Sequence, residues 1–387
     1  MRFHFGKFVA GRQMTVSPIR IFMVDPDSYS SAYDKALILE LQKLGIQLDL
    51  FATGNIGAIQ PIVNFYEHSN KRPPGLVKKL IKLFEHIVSM FKLCVHANRL
   101  KPAVIHFQWI MLPCLDWPFI YYLSKRFRIL HTVHNLKAFH GDSKFILQSI
   151  GYNGILKLFH GLITLTKGGQ DSLIKRLGMK VIHIPHGLLT THHLKPLETG
   201  AAPKGQIPKV LFLGRIRPYK GIDIFLKALL LLRNRSSTPF HAVIAGELEL
   251  HGRDRQEFVR LARELPNLTM ILKFIDENEM AQLVGEASVA VLPYREIDAS
   301  GIFSIVISNS LPCYCTRIGI FEETFSESYP AALFEVDGVE SLAQRLEDFL
   351  NNSETRSVLK RKVSEALTHT PGWNEIAKAH TSFYLNQ

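Results

Sequence analysis

The chain has 387 residues, 47% hydrophobic and 21% charged, which is ordinary for a globular protein of about two domains and excludes a disordered or fibrous chain. Lys and Arg outnumber Asp and Glu by 46 − 34 = 12, so we expect an anionic partner: nucleic acid, a membrane surface or phosphorylated substrates. The four cysteines form no C-x-x-C pair and have no His at zinc-like spacing, so we expect no metal site and a reducing compartment.

Residues 1–17 are basic and lack the apolar core of a signal peptide, so they predict a basic N-terminal arm, with Met14 as an alternative start. No stretch reaches the eighteen or so apolar residues of a membrane span. We therefore expect a cytoplasmic protein, and peripheral attachment to the inner face of the plasma membrane stays open.

Short apolar runs alternate with helix-length segments from residue 18 onward. Because these runs are apolar throughout, they predict a parallel sheet covered by helices on both faces. In the first half the predicted strands are 19–25, 46–53, 103–109, 128–135, 161–166 and 181–187.

Residues 71–101 predict a long basic amphipathic helix, with apolar residues at helical spacing and lysines mostly on the other face. Such a helix can lie in the headgroup region of an anionic membrane, or it can pack on its own domain. The apolar positions are Leu76, Leu80, Leu83, Phe84, Ile87, Met90 and Phe91, and the lysines are Lys78, Lys79, Lys82 and Lys92. Of the lysines, we expect the first three to contact the membrane on the first interpretation.

Residues 191–208 are polar, contain Pro and Gly and show no periodicity, so they predict a linker between domains at 18–190 and 209–369. The alternation then resumes, which predicts a second doubly wound, Rossmann-like domain. Ligands of such domains bind at the carboxyl ends of the strands and in the cleft between domains. The predicted strands of the second half are 209–216, 240–247, 268–274, 289–294, 312–316 and 331–336.

Basic side chains follow the first strand of the second domain. Arg215, Arg217 and Lys220 lie between Gly214 and Gly221, at the carboxyl end of the strand. An arginine fork and a flexible ammonium group suit paired phosphates. No G-x-G-x-x-G follows the first strand of either half and no G-x-x-x-x-G-K-[ST] occurs, so neither a classical dinucleotide fold nor a P-loop is predicted.

Residues 294–304, YREIDASGIFS, place Glu296 and Asp298 just before a predicted helix that begins at Ser300 or Gly301. A helix N-terminus attracts anions, so the nearby carboxylates are unexpected unless the ligand also offers hydroxyl groups. Simple capping by Asp298 or Ser300 is the alternative. Together with the basic cluster, the segment predicts phosphate on the helix amides and a sugar on a carboxylate.

The second half resembles the retaining GT-B fold glycosyltransferases of family 4 (glycosyl transferases group 1). The matching segments are VLFLGRIRPYKGIDIFLKAL, VIAGE, VAVLPYREIDASG, SNSLPCYCTRIGIFEE and the closing GWNEIAKAHTSFYL. The first half matches mainly in the order of its elements, through HTVHN and IPHG. The resemblance implies two Rossmann-like domains facing across a cleft, with residues 370–387 forming a helix that returns to the first domain, anchored by Trp373 and Tyr384.

The resemblance also implies residue roles. Arg215 and Lys220 would hold the nucleotide diphosphate, and the first carboxylate of a Glu-x7-Glu motif, best matched by Glu296, would hold the donor sugar. The second carboxylate, which holds the ribose, is missing: Ser304 stands there, or Ile305 in the other register. We expect Ser304 or backbone groups to substitute. The other implied donor-binding residues are Gly214, Gly246, Glu247, Ile275, Asp298, Ser300 and Gly301.

On the first domain, the resemblance assigns His134 to the cleft beside the donor sugar, and we count it with Arg215, Lys220 and Glu296 as catalytic. His131, His183 and His186 are expected to be structural. A weaker acceptor-side role falls on the loop after the first strand, through Asp25, Ser28 and Tyr29.

The expected reaction is retaining transfer of a sugar from a UDP- or GDP-linked donor, without a metal or cofactor. The expected acceptor is a saccharide or a polyprenyl-diphosphate-linked oligosaccharide, in bacterial exopolysaccharide, capsule or O-antigen assembly. A catalytically silent sugar-nucleotide-binding protein of the same fold is the alternative. A nucleic-acid-binding protein would share the basic charge, but no helix-turn-helix, RRM or KH motif is present, so no nucleic-acid partner is expected.

Overall fold

A computed structural model describes residues 19–136, 151–189, 207–236 and 238–385. The strands are β1 (Arg20–Asp25), β2 (Gln47–Ala52), β3 (Val63–Asn64), β4 (Val104–Phe107), β5 (Arg128–Val133), β6 (Gly161–Thr164), β7 (Val181–His183), β8 (Lys209–Leu213), β9 (His241–Ala245), β10 (Leu268–Ile271), β11 (Val289–Leu292), β12 (Cys313–Thr316) and β13 (Leu333–Phe334). The helices of the same ranges are α1 (Ser31–Lys43), α2 (Leu76–Leu100), α3 (Pro113–Ser124), α4 (Tyr152–Leu156), α5 (Lys167–Leu177), α6 (Ile222–Arg235), α7 (Gly252–Arg263), α8 (Glu277–Glu286), α9 (Gly301–Ser308), α10 (Gly319–Phe325), α11 (Val339–Asn351), α12 (Ser353–His369) and α13 (Trp373–Leu385). Short 3₁₀ turns lie at Ser69–Lys71, Pro218–Lys220 and Pro330–Ala332.

Two parallel sheets organise the chain. The first has the strand order β3-β2-β1-β4-β5-β6-β7 and the second has the order β10-β9-β8-β11-β12-β13. Both are buried in their middle strands: every residue of β4 and of β11 is buried, which is why the sequence shows continuous rather than alternating apolar runs. The predicted GT-B arrangement of two Rossmann-like units is confirmed.

The predicted strands agree with the structure in place and number, with one omission. Each strand except β3 lies inside its predicted range, and β3 is only two residues long, too short to give a pattern. Several predicted runs extend past the carboxyl end of the strand, as at residues 103–109, because the loops there are also largely buried. The predicted arm at residues 1–17 lies outside the described residues, and so does most of the predicted linker at 191–208.

The last helix, α13, returns to the first domain. Ile376, Ala377 and Phe383 pack in the core cluster that contains β1 and α1. The Tyr384 hydroxyl lies 2.8 Å from Nδ1 of the buried His106, and Trp373 donates its indole N–H to the Leu188 carbonyl at 2.7 Å. These contacts fix both ends of the helix, and the predicted crossover is confirmed.

Helix α2 is long and amphipathic, as predicted, but it begins later, at Leu76, because Pro73, Pro74 and Gly75 precede it. The predicted apolar stripe is not the face that packs on the domain. Met90 alone of the seven predicted apolar residues is buried, and the packed face is formed by His86, Ser89, Met90, Leu93, Cys94 and Ala97. In the described ranges, no helix is long and apolar enough to cross a bilayer.

Replacing Tyr384 should destabilise the first domain. Its ring is 3% exposed and its hydroxyl bonds His106, so Tyr384→Ala should lower the free energy of unfolding by about 3–5 kcal/mol. The neighbouring Leu385 is 53% exposed, and Leu385→Ala should change the free energy of unfolding by less than about 0.5 kcal/mol. Urea unfolding followed by circular dichroism measures both. Equal stability of the two variants would contradict the crossover role.

Candidate functional site

Two glycines let the loops after β8 and β9 approach one another closely. Gly214 follows β8 with φ of 109°, and a Cβ atom there would lie 3.1 Å from Ile302 in the first turn of α9 and 3.6 Å from Lys220 Nζ. Gly246 follows β9 with φ of 146°, and its Cβ would lie 2.1 Å from the Gly214 carbonyl oxygen. Side chains at these positions are excluded by space and by backbone conformation. The glycines therefore let the loops after β8 and β9 lie close together beside Lys220 and the start of α9.

The ammonium group of Lys220 lies beside Gly214. The residue is 8% exposed, and Nζ lies 3.0 Å from the Tyr294 hydroxyl and 4.4 Å from the centre of the Tyr294 ring. Burial, followed by the charges of Arg217 and Arg215, lowers the pKa of Lys220 to about 7. A negatively charged ligand in contact with Nζ would favour the protonated form and so reverse this shift.

The two arginines are held by carboxylates from the next loop of the sheet. Arg217 Nε lies 2.6 Å from Glu249 Oε2, and the more exposed Arg215 Nε lies 3.7 Å from Glu247 and 3.8 Å from Glu249. Exposed ion pairs at these longer distances contribute little to stability, so Arg215 can turn toward a ligand at small cost. The structure thus brings together Gly214, Arg215, Lys220, Gly246 and Glu247, as the sequence predicted.

The N-terminus of α9 completes this side of the cleft. Ser300 is buried and its Oγ accepts a hydrogen bond from the Phe303 N–H at 3.2 Å, so the predicted capping occurs. Capping by Ser300 satisfies one of the first backbone N–H groups and leaves the first turn, at Gly301, beside Gly214 and Lys220. Helix amides and an ammonium group therefore lie at one place, which suits a phosphate.

Other predicted donor residues make contacts between the domains. Ser304 Oγ donates to the Gly187 carbonyl at 3.0 Å and accepts from the Leu189 N–H at 2.7 Å. Asp298 Oδ2 accepts from the Leu136 N–H at 2.5 Å. Ile275 is buried in the core of the second sheet. Glu296 is exposed on the loop between β11 and α9. Their roles toward a ligand stay predictions.

The opposite wall belongs to the first domain, where Asp25 holds the loop after β1. Its carboxylate accepts hydrogen bonds from the Tyr29 and Ser30 N–H groups at 3.2 and 3.0 Å, and the Ser30 hydroxyl lies between it and Asp34. Burial raises the pKa of Asp25, and burial and the charge of Asp25 raise that of Asp34. Asp25 is fully buried, so it positions the loop and does not contact an acceptor directly.

Two other residues of the predicted acceptor loop differ in exposure and role. Ser28 adopts φ of 53° and bonds the Thr53 carbonyl, so it shapes the turn. Tyr29 is 46% exposed. Burial and then Asp27 raise the pKa of Tyr29, while the charges of Arg217 and Arg215 lower it.

His134 lies on the same wall, after β5. Its ring stacks on Trp109 at 5.0 Å with an interplanar angle of 7°, and Nε2 lies 2.9 Å from the Gln108 amide oxygen. Burial, followed by the charges of His186 and His131, holds the pKa of His134 well below its usual range. The imidazole is therefore neutral at pH 7. With Nε2–H donating to Gln108, Nδ1 can accept a hydrogen bond from a sugar hydroxyl.

Trp109, Tyr294 and Glu249 are part of the site and were not predicted from the sequence. Trp109 and Tyr294 follow the carboxyl ends of β4 and β11, a position that could have marked them as cleft residues. No sequence pattern pointed to Glu249, whose ion pair with Arg217 is seen only in the structure. Among the described residues, no three His, Cys, Asp or Glu side chains cluster so as to hold a metal ion. A broad surface depression along α7, between Gly252 and Glu264, contains none of the predicted site residues.

Part of the chain is similar to a known family. Residues 200–365 match the family described as "Glycosyl transferases group 1". This segment therefore resembles a group 1 glycosyltransferase domain. The match covers β8 to α12 and so includes Gly214, Lys220 and the first turn of α9. No curated protein matches the chain in sequence.

Solved structures share the fold of the whole chain. A sucrose-phosphate synthase from Thermosynechococcus elongatus is 17% identical, with a TM-score of 0.73 over 95% of this chain and 98% of the other. HepE from Anabaena, in complex with UDP and glucose, is 14% identical, with a TM-score of 0.68 over 94% and 99%. UDP-GlcNAc 2-epimerase from Neisseria meningitidis is 14% identical, with a TM-score of 0.62 over 95% and 100%. At these identities the likeness shows the GT-B fold alone.

The glycine pair offers a direct test of the site. Gly246→Ala would place a methyl group 2.1 Å from the Gly214 oxygen, so the loop carrying Lys220 must move. Binding of UDP and GDP should weaken at least about tenfold, measured by calorimetry on protein whose circular dichroism is unchanged. Gly154 has open space around its Cβ position, and Gly154→Ala is the matched control. Unchanged nucleotide affinity in the Gly246 variant would contradict the site.

Proposed function

We propose that the protein transfers a sugar, with retention of anomeric configuration, from a UDP- or GDP-linked donor to a saccharide or lipid-linked oligosaccharide. The observation that carries the proposal is the meeting of Lys220, Arg215 and the N-terminus of α9 at the carboxyl ends of β8 and β11. HepE, which has the same fold, was solved with UDP and glucose, and this supports a nucleotide-linked donor.

The donor diphosphate would bind beside Gly214, where it could contact Lys220 and the first turn of α9. Cleavage of the bond between the sugar and the diphosphate leaves an oxocarbenium-like sugar and increases negative charge on the leaving phosphate. Lys220 and the α9 amides are fixed before the reaction, so they would stabilise that charge without reorganisation, and Arg215 can turn to join them. These groups supply positive charge themselves, and we expect activity to persist in excess EDTA.

The sugar would lie between the two domains. Glu296 is expected to accept hydrogen bonds from sugar hydroxyls, and neutral His134 to accept one through Nδ1. No residue is assigned as a nucleophile; the acceptor would attack from the face that the diphosphate leaves, and a phosphate oxygen would take the acceptor proton. Tyr29, which is exposed on the loop after β1, is expected to contact the acceptor.

The acceptor class follows from charge and from the exposed basic helix α2. A polyprenyl-diphosphate-linked oligosaccharide at the cytoplasmic membrane surface would fit a peripheral enzyme in bacterial exopolysaccharide, capsule or O-antigen assembly. Transfer from UDP- and GDP-sugars to such an acceptor, followed by mass spectrometry of the product, tests this part directly.

One observation favours a second candidate, a sugar-nucleotide-binding protein without catalysis. Ser304, which stands in place of the ribose-binding carboxylate, has its hydroxyl bonded to Gly187 and Leu189. Nucleotide binding by the purified protein without transfer or donor hydrolysis would support that candidate.

Lys220 is the residue whose loss should matter most. Lys220→Ala removes a buried cation from the leaving diphosphate, so kcat should fall by a factor on the order of a hundred or more. Measured rates of sugar transfer test this. The matched control is Lys209→Ala, because Lys209 is a partly exposed lysine at the other end of β8. Near-normal transfer by the Lys220 variant would refute the assignment.

The affinity for the donor should also depend on pH. Because the pKa of Lys220 is about 7 and a bound diphosphate raises it, protein above pH 7 must take up a proton to bind. The dissociation constant of a UDP- or GDP-sugar should therefore rise with pH between about 7 and 9, by at most about tenfold per pH unit. Calorimetry in buffers of different ionisation enthalpy measures the proton uptake.

Lys220→Arg provides the control for this pH dependence, because arginine stays protonated throughout. Its dissociation constant should vary little over the same range. An equal pH dependence in the wild type and this variant would show that another group titrates.

A further inference from the structure

Helix α2 carries a long apolar stripe that faces solvent. Leu76, Phe84 and Phe91 are 72%, 69% and 62% exposed. The exposed large apolar residues of the helix are Leu76, Val77, Leu80, Leu83, Phe84, Ile87, Phe91 and Val95. Most follow the three- and four-residue spacing of one helix face, so they form a stripe about 28 Å long at 1.5 Å per residue.

Rotation of the helix about its axis cannot bury the stripe against the first domain. The opposite face already packs there through Met90, Leu93 and Ala97. His86, on the packed face, lies 2.7 Å from the Tyr66 hydroxyl and 2.5 Å from Asp116 of α3. The helix is fixed in this orientation, and in the described structure nothing covers the stripe.

The charges of α2 favour one class of partner for the stripe. The helix carries five basic residues, Lys78, Lys79, Lys82, Lys92 and Arg99, and one acidic residue, Glu85. Glu85 accepts hydrogen bonds from the His68 and Ser69 N–H groups, so it is directed to its own domain. A second copy docked along the stripe would bring like charges together, whereas anionic lipid headgroups would be attracted to them.

We propose that the exposed face of α2 binds an anionic bilayer surface, with the stripe in the acyl boundary and Lys78, Lys79 and Lys92 at the headgroups. An in-plane amphipathic helix binds by this combination of buried apolar area and charge. Membrane binding itself does not depend on the proposed function. Only its purpose, access to a lipid-linked acceptor, rests on that function.

Lys82 links the docked helix to the cleft and is not a lipid contact. Its Nζ lies 2.7 Å from Asp27 Oδ2 and 4.3 Å from the centre of the Tyr66 ring. Asp27 and the half-exposed Tyr29 both belong to the loop after β1. The ion pair places the N-terminal half of α2 beside the loop on which the acceptor is proposed to bind, so an acceptor could keep its lipid in the membrane while its saccharide enters the site.

Co-sedimentation of the full chain with vesicles tests the docking, without any nucleotide or sugar. Binding to phosphatidylglycerol–phosphatidylcholine vesicles is expected, with at least about tenfold weaker binding to phosphatidylcholine alone. The variant Leu80→Gln, Phe84→Gln, Phe91→Gln should lose at least about tenfold in affinity for the anionic vesicles. Phe274→Gln is the matched control, because Phe274 is 67% exposed but lies in the second domain.

The charge contribution has its own pair of variants. Lys78→Glu, Lys79→Glu should weaken binding at low salt by at least about tenfold, while Arg253→Glu, Arg255→Glu on α7 changes the net charge equally and should not. Lack of binding by the wild type, or equal binding by wild type and triple apolar variant, would overturn the proposal. So would a lipid-free wild-type dimer that the triple variant converts to monomer, since a second copy would then cover the stripe.

The membrane-binding proposal and the proposed function can be tested independently. Transfer to a water-soluble saccharide acceptor measures the reaction in the absence of lipid. Sugar transfer without vesicle binding would support the proposed function and refute the docking surface. Vesicle binding without sugar transfer would support the docking surface and refute the proposed function.

Discussion

Lys220 brings an ammonium group to a nearly dry position where the loops after β8, β9 and β11 meet, and the arrangement of the second domain follows from that placement. Among the described residues, its Nζ has a hydrogen bond to Tyr294, and two arginines lie near enough to oppose its charge. The glycines at 214 and 246 let the neighbouring loops approach it closely. An anion would offset the charge of a buried ammonium group, which is the physical basis of the phosphate site proposed beside Gly214.

The cleft is formed by contacts in which one domain satisfies the backbone of the other. Asp298 accepts the Leu136 N–H, and Glu323 accepts the Lys167 and Gly168 N–H groups at the start of α5. A carboxylate at a helix N-terminus is electrostatically favourable. These partners are hydrogen bonds on loops and helix ends, and each makes a modest net contribution to stability.

In the first domain, burial disfavours charge on the groups that line its side of the cleft. Burial and the neighbouring histidines hold the pKa of His134 well below its usual range beside Trp109, and burial raises the pKa values of Asp25 and Asp34 beneath the loop that carries Tyr29. This arrangement is consistent with the proposal that the sugar binds against the first domain and the phosphates beside Lys220. The same loop meets α2 through Asp27, so the exposed helix and the cleft are joined by one ion pair.

The sequence by itself determined the two parallel sheets, the order of their strands along the chain and the position of a basic cluster after β8. Continuous apolar runs report burial on both faces, and Gly214, Arg215 and Lys220 follow the end of a strand, so local pattern was enough. Only the tertiary structure decided which face of α2 is packed, because its apolar stripe and its packed face both repeat at helical spacing. Only the structure showed that Ser304 bonds Gly187 and that Glu249 holds Arg217. Those contacts join residues far apart in the chain, and no local pattern encodes them.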